Sequence, residues 1–196
     1  MSTSTSGLPK SPTMGGYSVI SSTYKDRAKL AQRFRTGDGF GWHEHDPELF
    51  AGTEQFFRPG YRAHLVAEWI PALDGVDEKL RSGAKGADVG CGHGASTAVM
   101  AQAYPASTFH GFDYHDASIE RARRIAESQR VAGSTEFAVA SAKDFPGKGY
   151  DLVCFFDCLH DMGDPVGALR HVREALADDG TVMLVEPFAN DPWPRT

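Results

Sequence analysis

The chain has 196 residues, 41% hydrophobic and 23% charged, with a formal net charge of −6. That length holds one well-buried domain and an appendage, not two complete enzyme domains. An acidic balance with no compensating basic stripe argues against nucleic acid as a partner, and no apolar run approaches membrane-spanning length, so no membrane partner is expected.

Residues 1–18 are rich in Ser, Thr, Gly and Pro and lack the apolar segment of a signal peptide; they read as a flexible leader. Residues 19–83 read as a helical region. Leu30 and Phe34 form an i, i+4 apolar pair in a segment ending at Gly37. Asp46-Pro47 reads as an N-cap followed by proline at the first helical position, and Pro59-Gly60 as the end of that helix. A further helix carries Leu65, Trp69 and Ile70, and a short one runs through Val76 and Leu80.

From Gly86 onward strands and helices alternate. Residues 87–90, 108–114, 135–140, 151–158 and 181–188 read as strands, with helices between them. This alternation implies a parallel sheet with right-handed crossovers. Cys91, Cys154 and Cys158 are odd in number and lack metal-type spacing, which points to reduced thiols and a cytoplasmic location.

Asp88-Val89-Gly90-Cys91-Gly92-His93-Gly94 lies between the first strand and its helix, where glycine permits a sharp turn and close approach to a ligand. The run also fits the relaxed dinucleotide fingerprint. A dinucleotide would set an anionic diphosphate at the helix N-terminus, where the Asp88 carboxylate repels it. The same carboxylate favours a ligand with ammonium and sulfonium groups, such as S-adenosylmethionine; a tight turn with Asp88 capping a local amide is the plainer alternative. Asp113, ending the second strand, suits the two hydroxyls of a ribose and is compatible with either cofactor.

Four segments in register resemble class I (Rossmann-like) S-adenosylmethionine-dependent methyltransferases. Residues 87–94 are similar to their first motif and Gly111-Phe112-Asp113 to their ribose motif. Tyr150-Asp151-Leu152-Val153 is similar to their fourth-strand motif, and Leu176-Ala177-Asp178-Asp179-Gly180-Thr181 to their approach to strand five. Residues 39–47 and 159–165 resemble bacterial members with an N-terminal winged-helix region, and Leu159 to Asp164 resembles plant-type O-methyltransferases. The resemblance implies cofactor contacts from Asp88, Gly90, Gly92, Gly94, Asp113, Tyr114, Ser141, Ala142, Phe156 and Asp157. Ser141 and Ala142 would lie at the adenine edge, where many relatives carry Asp, and the Phe156 carbonyl and Asp157 at the methionine end. His160 would be the general base, oriented by an acidic neighbour; packing beside the cofactor is its other reading.

The expected architecture is α/β, a Rossmann-like parallel sheet of five strands in order 3-2-1-4-5, with an N-terminal helical segment and the C-terminal hairpin missing. Residues 84–196 would form a shortened S-adenosylmethionine-binding domain. Val182, Met183, Leu184 and Val185 would then be an apolar edge, and a homo-oligomer could form there or through the N-terminal helices. Phe40, Trp42 and His43 read as a lid over cofactor or substrate, or as a packed loop. His43, His45 and Asp46 find no third cluster, so no metal is expected. The expected activity is methyl transfer to a small-molecule acceptor, with an oxygen as the candidate nucleophile. The alternatives are a non-catalytic cofactor-binding or regulatory module and, more remotely, a nicotinamide-dependent oxidoreductase.

Overall fold

The computed structural model describes residues 12–188. Its N-terminal part comprises α1 (Pro12–Lys25), α2 (Arg27–Thr36), α3 (Pro47–Gly60), a π-helical segment (Tyr61–Trp69) and α4 (Val76–Ser82). α1 begins inside the stretch expected to be a leader, and packing explains why. A Cβ on Gly15 would lie 2.5 Å from the Phe56 nitrogen, and one on Gly52 2.9 Å from the Ser18 Cβ. Bare backbone at both positions lets α1 and α3 approach closely, and that contact overrides the poor helix propensity of Gly and Ser.

α2 ends as expected, with Gly37 in the left-handed conformation at φ 77°. The Leu30–Phe34 pair does not anchor it, since Phe34 is 90% exposed. Charged contacts hold α2 instead: Arg33 pairs with Glu44, and Lys29 with Asp26 and the Glu44 carbonyl. Asp46 caps α3, accepting the Glu48 N–H at 3.0 Å. Pro59 does not end the helical run. Proline removes one N–H, and its ring crowds the carbonyl four residues back. The chain answers by widening into π turns, where the Ile70 N–H donates to the Leu65 carbonyl at 3.0 Å.

Five strands follow: β1 (Lys85–Val89), β2 (Thr108–Asp113), β3 (Thr135–Val139), β4 (Tyr150–Phe156) and β5 (Leu176–Val185), all paired in parallel in the order β3-β2-β1-β4-β5. The crossovers are α5 (Ala95–Ala103), α6 (Asp116–Ser128) and α7 (Pro165–Ala175). Leu152, Val153, Cys154 and Phe155 of β4 are fully buried, as a strand covered on both faces requires. α7 gives way to β5 at once, so Asp179-Gly180 lies within an irregular stretch of strand. A Cβ on Gly180 would sit 2.5 Å from the Tyr150 carbonyl oxygen, so glycine permits the register shift there. Among the described residues β5 pairs with β4 alone, and no helix is long and apolar enough to cross a membrane. The chain steps outward from β1 to β2 and β3, then reverses to β4. That reversal opens a crevice at the carboxyl ends of β1 and β4.

Candidate cofactor and acceptor site

The glycine loop sits at the mouth of this crevice with Gly90, Gly92 and Gly94 all at positive φ (77°, 52° and 73°). Its donors are already engaged. The Gly90 and Cys91 N–H groups both donate to the Phe112 carbonyl (2.8 and 3.0 Å), and the Gly94 N–H donates to the Cys91 carbonyl (2.8 Å). The Gly92 N–H donates to Asp113 Oδ2 at 2.9 Å. A phosphate cradle needs such N–H groups turned toward the anion; here four of them are spent on the protein itself. A Cβ on Gly90 would press to 2.7 Å from Cys158 Sγ, whereas one on Gly92 would meet nothing within 4 Å.

Asp113 also accepts the His115 N–H at 2.9 Å through Oδ1. Burial pushes its carboxyl above the ordinary range, while the two backbone donors pull the other way. Each oxygen keeps a further lone pair for a ligand hydroxyl.

Asp88 behaves differently from expectation. It is buried beneath the loop, where the Ser96 and Thr97 hydroxyls of the first turn of α5 each donate to its Oδ2 at 2.6 Å. Its Oδ1 has no hydrogen-bond partner, and burial pushes its pKa up to about 6. The residue steadies the start of α5 and does not line the crevice, so it is not the carboxylate placed to repel a diphosphate there.

A cavity of about 1080 Å³ fills the crevice, slightly above the range of about 300–1,000 Å³ common for small-ligand sites. Gly90, Gly92, Asp113 and Tyr114 line it from the β1 and β2 ends, and Ser141, Ala142, Phe156 and Asp157 from the β3 and β4 ends. Asp88, Gly94 and His160 stand outside that wall. Gly94 serves the fold: a Cβ there would lie 2.8 Å from the Phe137 ring. Ser141 closes a local turn, its Oγ accepting the Lys143 N–H at 3.1 Å and its own N–H donating to Asp144 at 3.0 Å.

Phe40 and Trp42 line the roof, and His43 meets Tyr114 edge-on at 5.8 Å. His45 and Asp46 are occupied elsewhere, beside Asp26 and at the α3 cap. Two further ties between the helical layer and the sheet escaped the sequence reading. His93 of the glycine loop lies 3.1 Å from Glu54 of α3, and Phe50 stacks on His115 at 4.5 Å. Their partners are about forty or more residues apart, beyond the reach of periodicity or local motif.

At the far end, Asp157 adopts positive φ (54°) and the chain turns into a short 3-10 segment, Leu159–Asp161. His160 Nδ1 bonds the Glu186 carboxylate, which also accepts the Leu159 N–H at 2.8 Å. Nε2 of His160 lies 3.5 Å from Asp161, whose residue lines the cavity, so the imidazole stands at the rim. The Glu186 hydrogen bond raises the His160 pKa; burial opposes it, and the nearby Asp161, Glu186 and Asp157 charges add to the rise. Asp157, His160 and Glu186 bring ligand-type atoms within 4.8 Å of one another, a trio different from the His43, His45 and Asp46 set considered from sequence.

A Rossmann-like sheet with a glycine loop and a ribose-type acidic residue, and a histidine–carboxylate pair at the rim, defines a nucleoside-cofactor site with acid–base capacity. Residues 80–195 match the family described as a methyltransferase domain, and the chain belongs to that family of class I S-adenosylmethionine-dependent methyltransferases. A trans-aconitate 2-methyltransferase of Streptomyces avermitilis is 28% identical over 125 residues, covering 63% of this chain and 46% of the relative. The mitomycin 7-O-methyltransferase MmcR superposes with a TM-score of 0.72 over 95% of this chain and 57% of that one, at 18% identity. An O-methyltransferase from a Brevibacillus brevis trans-AT polyketide synthase multienzyme, solved in complex with S-adenosyl-L-homocysteine, gives 0.50 over 53% and 35% at 23% identity. At these identities the solved structures speak to fold alone. The chain spans at most about half the length of the curated relatives it matches.

Proposed function

We propose that this chain binds S-adenosylmethionine in the β1–β4 crevice and methylates an oxygen of a small-molecule acceptor, with His160 as general base. The observation that carries the reading is the His160–Glu186 pair at the rim of a cavity walled by the glycine loop and Asp113. The residues fit the cofactor: the cavity is large enough, the space over Gly92 is open, Asp113 has lone pairs for a ribose diol, and the loop offers little to a diphosphate. When bound, the sulfonium supplies an electrophilic methyl group and departs as a neutral thioether. Asp113 would hold the ribose hydroxyls, Ser141 and Ala142 the adenine edge, and the Phe156 carbonyl and Asp157 the amino-acid end.

Glu186, accepting from Nδ1–H, leaves the lone pair of His160 on Nε2, the nitrogen that would take an acceptor's proton once Asp161, 3.5 Å away, gives place to the acceptor. An alcohol or phenol is a weak nucleophile until that proton leaves, and a positioned base contributes about 10²–10⁴-fold. The Streptomyces relative is named for a tricarboxylate, whose oxygens need no base; a histidine–carboxylate pair favours a hydroxyl acceptor for this chain instead. The N-terminal region serves as a roof, since Phe40 and Trp42 of the segment before α3 and Glu54 of α3 line the cavity.

Calorimetry with S-adenosylhomocysteine and with NAD tests the cofactor; tight NAD binding without S-adenosylhomocysteine binding overturns it. Methyl transfer to a panel of phenols tests the base. His160→Ala is expected to lose about 10²–10⁴-fold in kcat, and activity is expected to survive a chelator. Full activity in that variant refutes the base, and abolition by chelator shifts the role of the Asp157, His160 and Glu186 trio to holding a divalent cation.

A further inference from the structure

The charge on the walls limits which acceptor can enter. Beside the main cavity lies a recess of about 450 Å³ between the π-helical segment and the ends of β4 and β5. It is lined by the rings of Phe57, Tyr61, Trp69 and Phe156, with Asp157 and Glu186 at one end. Tyr61 organises the rings: it stacks on Phe57 at 6.2 Å, meets Trp69 edge-on at 6.3 Å and tilts against Phe156 at 5.3 Å. Tyr61 and Phe156 also line the main cavity, so the two spaces share a wall beside Asp157.

Among the described residues no lysine, arginine or histidine lines the recess. The two cationic-type side chains on the main cavity are already engaged: His93 by Glu54 at 3.1 Å and Lys143 by Asp164 at 3.3 Å. His160, at the rim, is engaged by Glu186. A carboxylated acceptor would therefore lose its hydration facing Asp157 and Glu186 with no free cation to replace it. Aromatic faces, by contrast, accept a flat ring or a cationic group.

Building on the methyltransferase reading, we propose that this recess is the acceptor subsite. It selects a ring-bearing acceptor of neutral or positive charge, whose ring lies among Tyr61, Trp69 and Phe156 and whose hydroxyl points to the Asp157, His160 and Glu186 end. Polycarboxylates are excluded by the acidic wall.

The test uses the whole chain saturated with S-adenosylhomocysteine, whose own binding is measured first. 2-Naphthol, tyramine, 6-hydroxy-2-naphthoate and trans-aconitate are then titrated by calorimetry. The neutral and cationic ring probes are expected to bind at least about tenfold more tightly than either carboxylate. Phe56→Arg, a substitution at a half-exposed position bordering the recess, is expected to narrow that gap by bringing in a cation. Failure of S-adenosylhomocysteine to bind overturns the parent reading. If it binds but the carboxylates match or exceed the ring probes, or no ring probe binds, or Phe56→Arg leaves the gap untouched, the recess is not the acceptor subsite.

Discussion

The two ends of the cavity are built by different means. At the cofactor end the backbone does the work: three glycines at positive φ fold the loop, its N–H groups bond carbonyls and Asp113, and the contacts to Phe112 and Asp113 tie the loop to β2. At the acceptor end side chains do it, and they come from far apart. His160 follows β4, Glu186 follows β5, and the aromatic wall comes from α3, the π-helical segment and the end of β4. A backbone-built site tolerates little change in its scaffold, whereas a side-chain-built site can be retuned one residue at a time.

That contrast can be broken most directly at Gly94. An alanine there carries φ 73° and a Cβ 2.8 Å from the Phe137 ring and 3.0 Å from the Ala122 Cβ. Left-handed strain and overpacking together are expected to cost about 2–4 kcal/mol, read from urea denaturation. A variant as stable as the parent would show the loop to be less constrained than its contacts imply.

Asp88 tests whether the cofactor end is also an electrostatic scaffold. Its folded pKa of about 6 lies above the ordinary value of 3.8, so the folded chain holds a proton there that the unfolded chain has released. The stability it contributes is therefore present below about pH 4 and is lost as pH rises through about 6. Asp88→Asn retains an acceptor for Ser96 and Thr97 and cannot ionise. The stability difference between variant and parent is expected to move in the variant's favour by up to about 3 kcal/mol between pH 4 and 7. A flat difference across that range would remove Asp88 as a buried titrating group.

Asp113→Ala separates the two ends functionally. Losing an acceptor of this kind is expected to weaken S-adenosylhomocysteine about 10–150-fold, from about 1.5–3 kcal/mol for hydrogen bonds to a charged group. His160→Ala should leave that affinity close to the parent's. Equal losses in both variants would mean that the ends are not independent.

The same contrast governs what could be read from the residues in order. Sheet order and the first four strands were legible because alternation and the spacing of Gly90, Gly92, Gly94 and Asp113 are local necessities of a turning backbone; the fifth, expected over 181–188, starts earlier and spans Leu176–Val185. Where Asp88 points was not, because a carboxylate beside a glycine turn can face a ligand or the helix beneath. Ser96 and Thr97, two hydroxyls in the first turn of α5, were the available signal for the second. The helix at Pro12 was hidden by a composition typical of unstructured chain. Its trace is the small-residue spacing of Gly15, Ser18 and Ser22, with Gly15 and Ser22 buried. A motif singled out His160 as a candidate, but nothing local singled out its partner Glu186, since the proximity of β4 and β5 is a product of the sheet.

The finest test of the acceptor end is the pH dependence of catalysis. Its hydrogen bond to Glu186 raises the His160 pKa, so the imidazole stays protonated to higher pH than an ordinary histidine. A base must be neutral to accept a proton, and activity should therefore climb with pH along a limb lying above the ordinary histidine value. Glu186→Gln keeps the shape of the contact and removes its charge. The limb should then move to lower pH, while the plateau falls because the amide holds the imidazole less firmly in the right tautomer. A merely structural Glu186 would lower the plateau without moving the limb. Movement of the limb is thus the outcome that distinguishes a carboxylate tuning the base from one bracing the loop.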